Sequence, residues 1–275
     1  MKNIVSASWL HAHLEDENLV LLDARLESTA TGTQTDLSEK TIPNSRYFDL
    51  KTQVSDPGAA FPNAFPTAAH FEAECQKLGV NTCSRIVVFD NLGVYSSPRV
   101  WWLFKAMGHS DVYVLDGGLP EWKAQGFKVE ERKAASFKPG NFKAVLQQDL
   151  VVRYEEVLAN AQTPSFLIVD ARSEGRFNGT EPEPRKHLQS GSIPNSVNIP
   201  YTEVLDNGKF KSKGVLQEVF DDTVAQDSAL VFSCGSGITA CIVMLASEIA
   251  GQKSKRVYDG SWTEWAELQN LKTGL

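Results

Sequence analysis

The chain reads as an α/β protein made by tandem duplication, each copy a mostly parallel sheet flanked by helices. Two observations carry this. Short apolar, β-prone runs alternate with helix-length segments, which is the pattern of a parallel sheet covered on both faces. Three segments also recur in the same order: Asp23-Ala24-Arg25 as Asp170-Ala171-Arg172, Ile42-Pro43-Asn44-Ser45 as Ile193-Pro194-Asn195-Ser196, and Asp116-Gly117 with Glu121-Trp122 as Asp259-Gly260 with Glu264-Trp265. Their offsets are 147, 151 and 143 residues, and matched pairs at nearly constant offset mark a duplication. The halves are residues 1–130 and 150–275, joined by a connector over 131–149.

In the first half, Ser6 or Ser8 caps a short helix running to Leu14, and Asn18–Asp23 is a strand. Ser28–Lys40 is a polar loop, Ile42–Asp49 a turn entering a strand, and Val54–Thr67, with its prolines, is irregular. Thr67 caps a helix that places Phe71, Cys75 and Leu78 on one face and ends at Gly79. Arg85–Asp90 is a buried strand. Ser97-Pro98 opens a helix with proline at its favoured first position, and Gly108 closes it. Val112–Leu115 is a strand, followed by a turn at Asp116–Pro120 and a helix through Trp122 that stops near Gly126. Lys128–Gln148 loses all periodicity, carries five lysines and arginines around Pro139-Gly140, and reads as the connector.

The stretch Ala229–Gly251 is the most informative part of the second half. An apolar strand, Ala229–Ser233, runs into Cys234-Gly235-Ser236-Gly237-Ile238-Thr239, and then into an apolar helix stopped by Gly251. A strand that becomes a helix over so few residues needs glycine-like backbone freedom. It also leaves helix-start N–H groups without partners, free to face the Cys234 sulfur and favour its thiolate. Cys241 lies well inside the helix and reads as structural. The matching turn of the first half, Asn91–Ser97, has no cysteine. Ligands of open α/β sheets sit at the carboxyl ends of strands, where both turns lie. The first half is therefore expected to wall a site that only the second half equips.

Composition bounds the alternatives. The 275 residues are 42% hydrophobic and 22% charged, which suits a globular protein with real cores. A net charge of −7 argues against a nucleic-acid or anionic-membrane partner. No apolar run is long enough to span a bilayer, and the N-terminus has no signal-peptide core. Cys75, Cys83, Cys234 and Cys241 show no Cys-x-x-Cys spacing, hence neither a metal site nor a disulfide framework, and the expected compartment is the cytoplasm.

The paired Asp-Ala-Arg and Asp-Gly…Glu-Trp segments and the Cys234 loop resemble the two-domain rhodaneses over nearly the whole chain. Cys-Gly-Ser-Gly-Ile-Thr is similar to the loop of the 3-mercaptopyruvate sulfurtransferases, whereas thiosulfate sulfurtransferases usually carry Arg and Lys directly after the cysteine. The segment Gly175–Arg185 also matches, and the resemblance implies that Arg176 and Arg185 hold the donor's carboxylate end. Without it, both would read as surface charge paired with Glu181 and Glu183. Many mercaptopyruvate enzymes have a His-Met-Leu-Pro segment whose histidine is proposed to join the loop serine. Here the corresponding residues are Asn63-Ala64-Phe65-Pro66, and His70 reads as a helix-surface residue, so no His–Asp pair carries over.

The resemblance implies a ping-pong sulfur transfer without metal or organic cofactor. Cys234 attacks the donor sulfur, becomes a persulfide, and passes the sulfur to thioredoxin, glutathione, another thiol or cyanide. The N–H groups of Gly235, Gly237, Ile238 and Thr239 would hold the anion. Ser236 either protonates the leaving enolate or is a plain turn residue. Arg25 and Arg172 read as ion-pair partners within their own Asp-Ala-Arg units, and Trp262 and Trp265 as core. Thiosulfate remains the alternative donor. Phosphatases of this fold need an arginine six residues after the cysteine, where this chain has Ala240. A non-catalytic binding module would not need the retained cysteine.

Overall fold

The computed structural model describes residues 3–29, 32–132, 136–225, 228–252 and 256–271; residues 133–135 of the expected connector lie outside them. The first domain runs β1 (Ile4–Val5), α1 (Ala7–His13), β2 (Leu19–Asp23), β3 (Arg46–Tyr47), α2 (Ala68–Lys77), β4 (Arg85–Phe89), α3 (Ser97–Ala106), β5 (Val112–Leu115) and α4 (Gly118–Ala124). Its sheet has the order β1-β5-β4-β2-β3, with every pair parallel. The second domain runs β6 (Val151–Val152), α5 (Tyr154–Gln162), β7 (Leu167–Asp170), α6 (Glu174–Phe177), β8 (Ser196–Asn198), β9 (Leu205–Asp206), β10 (Lys209–Phe210), α7 (Lys213–Thr223), β11 (Leu230–Ser233), α8 (Ala240–Ala250), β12 (Arg256–Tyr258) and α9 (Ser261–Leu268). Its parallel sheet, β6-β12-β11-β7-β8, repeats the first strand for strand, and β9 and β10 form a small antiparallel ribbon. The edge strands β1 and β6 are two residues each, too short to leave a periodicity in the sequence.

The recurring segments are the places where the fold makes the same local demand twice. Asp23 and Arg25 form a buried ion pair at the end of β2, and Asp170 and Arg172 form its copy at the end of β7. In Ile-Pro-Asn-Ser the isoleucine anchors the core, and the asparagine turns the chain in the left-handed region, with φ 64° at Asn44 and 60° at Asn195. Asparagine tolerates that region better than other residues with a Cβ. Ser6 supplies the α1 cap and Thr67 the α2 cap, each accepting an N–H from three residues on.

The expected connector is irregular but not loose. Phe142 is fully buried against Phe71, Phe104 and His109, and Gly140, Phe142 and Val145 donate backbone bonds to Gln76, Val80 and Met107. Residues 136–145 therefore travel with the first domain.

Ten of the eleven residues of α8 are buried, because one side faces the second sheet and the other faces α3 of the first domain. The apolar core runs without a break from Val100, Trp101 and Phe104 to Ile242, Val243 and Leu245. At the end of this seam, Arg99 of α3 reaches Asp259 of the second domain at 2.5 Å, with its side chain wholly buried and its guanidinium over Trp102. Removing one partner of a buried pair strands the other. Arg99→Ala is expected to cost about 3–5 kcal/mol of stability, measured as a lower urea midpoint; an unchanged midpoint would show that the pair does not hold the domains.

Candidate active site

Cys234 follows β11, the central strand of the second sheet, at its carboxyl end. Its own N–H donates to Ser261 Oγ at 3.1 Å. The next six N–H groups, from Gly235 to Ala240, have no acceptor among the described residues. The sequence requires this opening. Gly237 has φ +80°, and a Cβ there would meet Asp259 O at 2.9 Å and Arg99 Nη1 at 3.1 Å. A Cβ on Gly235 would meet Arg176 Nη2 at 3.0 Å.

The first domain shows what these N–H groups are for. Asp23 faces Phe89 and Asp170 faces Ser233 in the two sheets, so Asp90 occupies the position of Cys234. The Asp90 carboxylate accepts the N–H groups of Leu92, Tyr95, Ser96 and Ser97, and the Ser97 hydroxyl. One copy of the loop is thus filled by an anion of its own. The other keeps its donors open beside a sulfur, which is a site for a thiolate or persulfide.

A cavity of about 170 Å³ lies over Cys234, lined by Gly235, Ser236, Ile238, Thr239, Arg176 and Tyr201, with Tyr95 reaching in from the first domain. Tyr95 and Tyr201 meet edge to face, with centroids 5.9 Å apart, across the domain seam. The expectation that the first copy walls the site therefore rests on Tyr95 at the cavity itself. A roomier cleft of about 560 Å³ lies along the seam beside Phe65, Tyr154 and Glu264, but no cysteine lines it.

The two arginines behave differently. Arg176 lines the cavity and is gripped by buried Glu183, through Nη2 at 2.6 Å and Nε at 3.2 Å. This leaves three N–H bonds, including both on Nη1, for a substrate. Glu183 is also taken by Arg172 at 2.7 Å, so the pairing expected for a surface charge is a buried network instead. Arg185 does not line the cavity and its side chain has no hydrogen bond to the described residues, yet it lies within electrostatic reach of Glu183, Cys234 and Arg176. Burial pushes its guanidinium down from the ordinary value. Burial likewise raises the Tyr201 phenol.

Several residues here carry no motif of their own. Ser261 stands at φ +52°, the angle that Gly118 takes in the first copy, and its hydroxyl bridges Tyr258 O and the Cys234 N–H. Arg99 lies under the loop, 3.4 Å from Gly237 O, and Asn63 reaches Ser236 Oγ at 2.9 Å. The signal that existed was alignment of the two halves: Ser261 against Gly118 marks a residue tolerating glycine's conformation beside the cysteine. Asn63 stands where the resembled enzymes have the histidine proposed to join the loop serine, so the resemblance pointed to its position, whereas nothing in the sequence joins Arg99 to residues more than 130 positions away. His70 bonds the Gln53 carbonyl and takes no part. Trp262 and Trp265 are core, and Arg172 lies over the Trp262 ring.

A rhodanese-like domain model matches residues 6–125 and again 153–268. The chain belongs to the rhodanese family. This rhodanese is 39% identical over 95% of its length to mouse 3-mercaptopyruvate sulfurtransferase, covering 91% of that protein. It is 33% identical over 97% of its length to the 3-mercaptopyruvate sulfurtransferase of Escherichia coli K12, covering 96% of it. It is 36% identical to the Chinese hamster (Cricetulus griseus) thiosulfate sulfurtransferase, with 95% of this chain and 91% of the relative covered. The crystal structure of Escherichia coli SseA, described as a 3-mercaptopyruvate sulfotransferase, superposes on 95% of this rhodanese and 99% of that chain, with TM-score 0.85 and 31% identity.

Cys241, the other buried cysteine of the second domain, is held as a thiol. Burial, against the pull of Arg99, pushes the Cys241 thiol up to about 12, and its Sγ donates to Gly237 O. It stays a thiol at neutral pH. Cys234→Ser is expected to abolish turnover and Cys241→Ser to keep most of it. Mass spectrometry after incubation with donor should find one added sulfur, on Cys234; sulfur on Cys241 would reverse the assignment.

Proposed function

We propose that this sulfurtransferase takes its sulfur from 3-mercaptopyruvate and passes it to a thiol or cyanide through a Cys234 persulfide. The observation that carries the donor is the charge balance beside the cavity. Arg172, Arg176 and Arg185 stand against Asp170 and Glu183, three cations to two anions, and the loop from Cys234 to Thr239 has no charged side chain. Thiosulfate, a compact dianion, would be served by cations in the loop itself. Mercaptopyruvate carries its charge beyond a methylene and a carbonyl, where the surplus cation lies outside the loop. Relatives named for each donor support the reaction class, and the charge distribution supports this choice within it.

The Cys234 thiolate attacks the donor sulfur, the C–S bond breaks, and the carbon fragment leaves as the pyruvate enolate. The open N–H groups of Gly235, Gly237, Ile238 and Thr239 hold the persulfide. Ser236, on the cavity wall, protonates the enolate. The free Nη1 edge of Arg176, with Arg185 behind it, holds the carboxylate. Glutathione, thioredoxin and cyanide are the acceptors proposed. The cytosol is the proposed location, supported by four unpaired cysteines. Among the described residues no helix is long and apolar enough to cross a membrane.

The test is kcat/KM for both donors at fixed acceptor. Wild type should favour mercaptopyruvate. Arg185→Ala should lose about 10–100-fold on mercaptopyruvate, the scale of one charged hydrogen bond, with little change on thiosulfate. Arg185→Lys should restore part of the loss, since it keeps charge without the fork. Arg176→Ala should lose as much and also lower stability, because it strips a partner from Glu183. A wild type that favours thiosulfate, or arginine variants that lose both donors equally, would overturn the donor.

A further inference from the structure

Ser236 is held from the other domain. Asn63 Nδ2 donates to Ser236 Oγ at 2.9 Å and lies 3.5 Å from the Ser236 carbonyl oxygen. A carbonyl only accepts, so the amide is held with its NH₂, not its oxygen, toward the serine. The serine oxygen therefore accepts this bond, and its own proton has no acceptor among the described residues. Ser236 is buried and lines the cavity over Cys234, which leaves the cavity as the outlet for that proton.

Asn63 is itself pinned. Its carbonyl accepts from Arg99 Nη2 at 2.8 Å, and two residues on the Phe65 N–H donates to Asp259 Oδ2 at 2.7 Å. Its φ of +59° suits asparagine and excludes β-branched residues. Charged and titratable groups around the bond include Arg99 and Asp259, paired with each other, Cys241, held as a thiol, and Cys234.

We infer that Asn63 is a positioning residue: by donating to Ser236 Oγ it aims the serine proton at the donor's carbon fragment. This rests on the proton-donor role of Ser236 given above. The proton balance closes inside the cavity. The Cys234 thiolate takes the sulfur of the donor thiol, giving Cys–S–SH and the enolate. The enolate carbon takes the Ser236 proton and becomes pyruvate. The acidic persulfide proton returns to the serine oxygen, leaving Cys–S–S⁻ against the loop N–H groups. While the oxygen carries negative charge, the Asn63 N–H stabilises it.

The donors separate this role from a structural one, because thiosulfate releases sulfite and leaves no carbanion to protonate. Asn63→Ala, which keeps the backbone bond to Arg99, should slow pyruvate formation about threefold to tenfold, the scale of one neutral hydrogen bond. Asn63→Asp, which tolerates the same φ, presents an ionised acceptor that draws the serine proton away. It should lose about 30-fold or more at neutral pH. Its rate relative to wild type should rise as pH falls through the new carboxyl's titration, since the protonated acid donates again. Persulfide formation from thiosulfate should stay within about twofold in both variants, less than the loss of one hydrogen bond. Variants that match wild type on mercaptopyruvate, or that lose both donors alike, overturn the role of Asn63 alone. A wild type that forms no pyruvate overturns the donor assignment and this inference together.

Discussion

A single buried cation joins the two halves of this protein. Arg99 leaves α3 of the first domain, crosses the seam, and ends between Asp259, the Gly237 carbonyl and the Asn63 carbonyl. A wholly buried guanidinium is costly unless its charge is matched, and here Asp259 matches it while Nη1 and Nη2 find acceptors and Nε has none among the described residues. The acceptors belong to the floor of the cysteine loop, the turn before α9, and the strap that carries Asn63. One side chain thus fixes the relative position of three segments from two domains, and the cysteine loop is one of them.

The duplication gives this arrangement its logic. Both copies make a turn after the central strand with a row of N–H groups aimed inward, an arrangement that demands a negative charge. The first copy supplies the charge from Asp90 and becomes rigid filler. The second has Cys234 in that position and leaves the N–H donors open. With its own turn closed, the first copy is free to contribute elsewhere, through Tyr95 at the cavity and Asn63 behind it.

Charge is arranged in a similar way beside the cavity. Glu183 is shared by Arg172 and Arg176, which keeps both guanidinium planes in place but leaves the Nη1 edge of Arg176 unused. Arg185, half-buried and with no side-chain partner among the described residues, adds a further positive charge. Pairing in this network therefore orients the arginines without neutralising the pocket.

Much of this was legible in the sequence because it is local. The α/β class, the caps at Ser6 and Thr67, the Ile-Pro-Asn-Ser turns and the cysteine between strand and helix follow from neighbouring residues and their backbone preferences, and the duplication from the recurrence of such local segments. The Asp-Ala-Arg pairs are equally local, two residues apart. The two-residue edge strands and the packing of Phe142 escaped, since neither leaves a periodic pattern. What only the tertiary structure decided is which distant side chains share a hydrogen bond. Asn63 and Ser236 are 173 positions apart and Arg99 and Asp259 are 160, and such pairs exist only once α3 is packed against α8. The cysteine between strand and helix was thus set by local sequence, whereas the Asn63–Ser236 bond and the clamp beneath the loop were set by the burial of one apolar seam.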